Sequence, residues 1–124
     1  MLEIDRAYVA IALLWAVAGM LLGLYMGIAA DNKLVTVHVA MLLSGFVTLA
    51  IYGAVYRLWP AMKKSPLALA QFWITVIGSA GGVVGSYLLV TSGSVPLAAT
   101  ASVAMIVGAG LMSWLFIARG HEAM

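Results

Sequence analysis

The 124 residues contain no cysteine. That excludes disulfides, thiolate metal sites, iron–sulfur clusters and covalent attachment of a cofactor through a CxxCH pair. Charge is almost as scarce. Only 8% of the residues are charged and the formal net charge is +2, whereas a soluble domain carries roughly a quarter charged residues. No basic patch exists for nucleic acid. There is no glycine-rich phosphate loop and no nucleophile–base pair. No apolar segment holds an aspartate or glutamate in its interior, which argues against a proton-coupled exporter, since such carriers need a carboxylate within the membrane.

What is present in abundance is apolar sequence: 65% of the residues are hydrophobic and the mean hydropathy is +1.15. Four apolar segments stand out, at about 8–30, 34–59, 67–91 and 95–118. Each is about 20 to 25 residues long, enough to cross roughly 30 Å of hydrocarbon as a helix. Backbone groups in lipid must be satisfied within the segment, so all four are expected to be α-helical. The first segment is too long for a secretory h-region and reads as a retained span. The chain is therefore expected to be one domain, residues 1–124, an all-α integral membrane four-helix bundle. The short connections predict antiparallel neighbours.

Basic residues set the expected orientation. Arg6, Arg57, Lys63, Lys64 and Arg119 fall on one side of the four spans, and Lys33 alone on the other. By the positive-inside rule both termini are expected in the cytoplasm, consistent with a bacterial inner membrane protein. Trp59 and Trp114 fall at the cytoplasmic ends, as interface anchors do; Tyr25 and Tyr87 lie toward the opposite side.

Glycines supply the expected helix contacts. Gly19, Gly23 and Gly27 form a GxxxGxxxG run, which suits either a dimer face or a contact inside the bundle. Gly78, Gly81, Gly82 and Gly85 mark the third span, Gly108 and Gly110 the fourth.

One histidine, His38, sits inside an apolar segment, about one turn from the outer end of the second span. An intramembrane ionisable group is a functional candidate by default, and neutral imidazole is a common metal ligand. A histidine so placed also serves simply to bond across to another helix. The face it shares runs through Leu42, Gly45, Leu49, Tyr52 or Gly53, and Tyr56 at helical spacing. Gly45 removes a side chain where a flat cofactor could lie. Ser44 and Thr48 are placed to return hydrogen bonds to the helix backbone.

The stretch His38, then Gly45-Phe46-Val47, Ile51-Tyr52-Gly53 and Tyr56-Arg57-Leu58-Trp59-Pro60, resembles helix II of subunit I of the haem-copper oxidases, including the nitric-oxide-reductase branch. It resembles still more the short oxidase-like membrane proteins related to them. Gly19-Met20-Leu21-Leu22-Gly23 is similar to that family's helix I. The resemblance implies that His38 is an axial ligand of a b-type haem near the outer surface, so that His38 is both the metal and the cofactor residue. It does not extend to the rest of an oxidase. The only other histidine is His121, at the cytoplasmic tail, so no copper or dinuclear centre is expected and oxygen reduction is not. Short relatives often carry a second histidine two residues after the first, where this chain has Ala40.

A six-coordinate haem then needs a further ligand. A second copy of the chain, contributing its own His38 across a two-fold axis, is the simplest source, and a homodimer is expected on that ground. Met26, Met41 and Met105 lie in the outer half, though methionine more often packs than ligates. Lys33, Asn32 and Thr36 lie above His38, where propionates would need cations or donors; Lys33 serves equally as a solvated loop charge. The work implied is electron transfer, or haem or gas sensing. The alternative is a structural or accessory membrane subunit in which His38 only packs.

Overall fold

A computed structural model describes residues 3–119. Among them there is no strand, and four helices are long and apolar enough to cross a membrane. They are α1 (Ile4–Ala29), α2 (Val35–Leu58), α3 (Pro66–Ser92) and α4 (Pro96–Arg119). A 3₁₀ turn, Pro60–Lys64, joins α2 to α3. His121 lies outside the described residues.

The chain's three prolines all mark boundaries. Pro60 opens the 3₁₀ turn, and Pro66 and Pro96 open α3 and α4, where the missing N–H has no helical partner to lose. Ser65 caps α3, its Oγ accepting from the Leu67 amide at 3.2 Å. At the other end Gly93 takes φ 71°, the left-handed closing conformation that glycine adopts without a Cβ penalty. Ala30 closes α1 in the same region, with φ 52°.

Residues of α1 meet those of α2 in reverse order. Asp5 pairs with Arg57, and a Cβ built on Gly53 would meet Val9 and Tyr8. Trp15 covers Gly45, Leu42 covers Gly19, and His38 covers Gly23. A second seam joins α3 to α4: Thr75 against Gly108, Gly78 against Ala104, Gly85 against Ala98. At Gly85 a Cβ would lie 2.6 Å from the Ala98 backbone nitrogen, so only glycine allows this approach. Lipid offers no hydrophobic drive between helices, and close backbone packing takes its place.

The buried centre lies toward the end that carries the chain's N-terminal charges. Tyr8, Leu49, Tyr56, Met62, Phe72 and Leu115 form it. Much of the remaining apolar surface faces outward: Leu14, Ile28, Ile77, Ile106 and Ile117 are each more than 60% exposed. In water such a surface would aggregate; in a bilayer it is the solvent-facing side.

Candidate functional site

The α2 helix is not uniform. Met41–Val47 is wound as a π-helix; Ser44 Oγ, within it, donates to the Ala40 carbonyl at 2.7 Å, and Thr48 Oγ1, just after it, to the Leu43 carbonyl at 2.8 Å. Both hydroxyls return to the backbone, as their positions imply. π-Turns are uncommon and are often found at functional sites. This one begins three residues after His38.

The His38 ring lies half-buried against α1. Its Nδ1 is 2.8 Å from the Gly19 carbonyl oxygen. A carbonyl only accepts, so Nδ1 carries the proton and donates. In the neutral ring Nε2 is then the lone-pair nitrogen. Nε2 has no hydrogen-bond partner among the described residues, nor is it sealed in the interior. The ring fits because Gly23 lacks a side chain: a Cβ there would come within 2.8 Å of His38 Cε1. The first two glycines of the α1 run thus work inside the bundle, at Leu42 and at His38. Gly27 meets nothing within 4 Å.

This donor geometry fits an axial ligand in one respect. Metal-bound histidines donate their other ring N–H to a carbonyl or carboxylate, which fixes tautomer and orientation, and Gly19 fills that role here. The fit fails at Gly45. The space above it is taken by the Trp15 indole, whose Cγ would lie 2.5 Å from a Cβ built there. Gly45 packs against tryptophan and leaves no slot for a porphyrin, because α1 is held close to α2 at that level.

The remaining candidates divide by exposure. Asn32, Lys33 and Thr36 are exposed at the α1–α2 connection. The Lys33 amide donates to Asp31 Oδ1 at 2.9 Å, closing the loop. Met26 is buried, Met41 half-buried, and Met105 packs beside Gly78. Tyr25 and Tyr87 are exposed. No group of three metal-ligating His, Cys, Asp or Glu side chains occurs among the described residues.

A second polar assembly was not anticipated from the sequence. Gln71, on α3, is fully buried. Its Oε1 accepts from the Tyr8 hydroxyl at 2.6 Å and the Tyr56 hydroxyl at 3.0 Å. Its Nε2 donates to Thr75 Oγ1 at 3.0 Å and to the Gly108 carbonyl at 3.2 Å. The Gly108 carbonyl fixes which end of the amide is nitrogen. One side chain therefore ties all four helices together. The signal was available: Gln71 is the chain's one glutamine, and it lies inside an apolar span. A search for charges passes over an amide.

Below this network lies an ionic cluster. Asp5 is buried, and its carboxylate meets Lys63 at 3.2 Å and Arg57 at 3.3 Å; Lys63 also reaches Glu3 at 3.2 Å. No protein-family model, curated protein or solved structure matches the chain.

Proposed function

We propose that the chain is an integral membrane protein of the bacterial inner membrane that binds b-type haem through His38, and that its work is electron transfer or the sensing of haem or gas. In this reading the four helices are antiparallel neighbours. The end bearing Arg6, Arg57, Lys63, Lys64 and Arg119 faces the cytoplasm with both termini, following the excess of basic residues there. His38 then lies near the outer face.

The observation that supports the ligand role is the Nδ1 contact with the Gly19 carbonyl at 2.8 Å. It leaves Nε2 as the lone-pair nitrogen, oriented by a backbone acceptor as metal-bound imidazoles are. Because Trp15 closes the Gly45 side, the cofactor would approach from outside the α1–α2 pair. A second protomer, supplying its own His38, would complete the coordination. Lys33, Asn32 and Thr36 would be the nearest polar groups for propionates. When bound, haem would supply the redox or gas-binding centre, and this chain's ligand and surroundings would tune it.

The test is purification from cells supplied with haem. Wild type is expected to carry a Soret band that His38→Ala abolishes, while the variant still inserts and folds. A colourless wild type overturns the proposal.

A second reading is favoured by the same contact. An imidazole that bonds one helix to the carbonyl of another, seated on Gly23, is complete as a packing element. In a structural or accessory subunit, His38→Ala would lower thermal stability with no spectral consequence.

A further inference from the structure

The groove between α1 and α2 at the charged end has the form of a lipid site. It is an open groove of about 410 Å³. Val9 and Leu13 of α1 and Gly53 and Ala54 of α2 make its apolar wall, and Arg6 and Arg57 stand at its charged end. The Arg6-to-Leu13 stretch of α1 is about 10 Å long at 1.5 Å per residue, the length of a headgroup region and the first part of an acyl chain. Leu13 is 54% exposed, so the wall opens outward to the surrounding lipid and not into the bundle.

Charge selects the occupant. The Asp5 carboxylate also lines this end, but it is already held between Lys63 and Arg57. Arg6 has no carboxylate partner among the described residues. The Arg57 side chain remains 72% exposed even with its Asp5 contact, leaving guanidinium donors free. Lys63 is shared between Asp5 and Glu3 and Arg57 also holds Asp5, so Arg6 is the surplus cation that leaves this end net positive. Guanidinium is the side chain best shaped for a phosphate. Basic pockets between membrane helices bind anionic headgroups on these grounds.

We propose that this groove holds one anionic phospholipid of the surrounding leaflet, its phosphate on Arg6 and Arg57 and an acyl chain along Val9, Leu13 and Ala54. The site is independent of any ligand at His38. It depends only on the chain lying in a bilayer. An occupied groove would hold α1 against α2 at the end remote from His38.

Native mass spectrometry of the whole protein in detergent with equal phosphatidylglycerol and phosphatidylcholine tests this. Wild type is expected to retain phosphatidylglycerol at least about tenfold over phosphatidylcholine, each basic residue near an anionic headgroup being worth about a factor of five. Arg6→Gln should reduce that ratio about fivefold. Ala54→Trp fills the groove and should reduce retention of both lipids, with helicity by circular dichroism unchanged. Lys64→Gln, outside the groove, should leave the ratio alone. Excess inorganic phosphate should not displace the lipid. Equal retention of the two lipids, no retained lipid, or the same loss in Lys64→Gln as in Arg6→Gln overturns the proposal. So does displacement by free phosphate, which would mark an anion site without a lipid.

Discussion

Gln71 shows what a single residue does in this bundle. Interhelical hydrogen bonds in membrane proteins average about 0.6 kcal/mol each, because the separated helices find other partners. Gln71→Leu removes bonds to two tyrosines, a threonine and a carbonyl, and leaves their polar atoms buried. A loss of about 2 kcal/mol is expected. Tyr56→Phe, which removes one of those bonds, should cost about 0.6 kcal/mol. Unfolding of both variants in the same detergent checks the ratio; equal losses would mean that the network is not held by its glutamine. His38 was legible in the sequence as the one histidine inside an apolar segment, near the start of the second long helix. Its partner was not, because the Gly19 carbonyl belongs to backbone and carries no mark in the sequence.

At the scale of the element, the spans and their breaks were readable, since length and hydropathy govern both. The helices begin and end within a few residues of the expected positions, apart from the first, which starts at Ile4 and takes in Asp5 and Arg6. A charged turn can extend a helix beyond its apolar part when its charges find partners, as Asp5 does. The π segment at Met41–Val47 could not be read, for apolar periodicity does not separate a wide turn from an α turn over seven residues. Gly45 was expected to leave room for a flat cofactor; it lies instead against Trp15, a neighbour set by how closely α1 approaches.

The glycines divide in a way that mutation can check. Gly85→Ala places a methyl against the Ala98 backbone and should destabilise the α3–α4 seam by about 1–3 kcal/mol, as overpacking does. Gly110→Ala meets nothing within 4 Å and should be neutral or slightly stabilising through helix propensity. Thermal unfolding of the two variants side by side distinguishes a packing glycine from a free one. If Gly85→Ala is neutral, the seam is not held by backbone contact.

For the whole molecule, the asymmetry of the two ends is the main feature. Glu3, Asp5, Arg57 and Lys63 gather at one end. Lys33 stands at the other, about 39 Å away by the 26 residues of α1. The cluster ties the start of α1 to the end of α2 and to the 3₁₀ turn. Burial, the largest influence on Lys63, works to lower its pKa. Hydrogen bonds and charge from Asp5 and Glu3 outweigh it, and the net shift is upward. A lysine raised in the folded state contributes stability that is fully present below its unfolded value of about 10.4. That contribution fades as pH rises through the higher folded value. Wild type should therefore lose stability over this alkaline range more steeply than Lys63→Met. Parallel slopes would show that the ion pairs add nothing to folding.

The central claim is that His38, anchored through Nδ1 to the Gly19 carbonyl, offers Nε2 to a haem iron. A haemin titration of the purified protein in detergent, followed at the Soret band, tests it most directly, with Gly23→Ala and His38→Ala beside wild type. The claim predicts a saturating, shifted Soret band for wild type, a weakened one when the Gly23 methyl displaces the imidazole, and none for His38→Ala. Identical titration curves for all three proteins would contradict it.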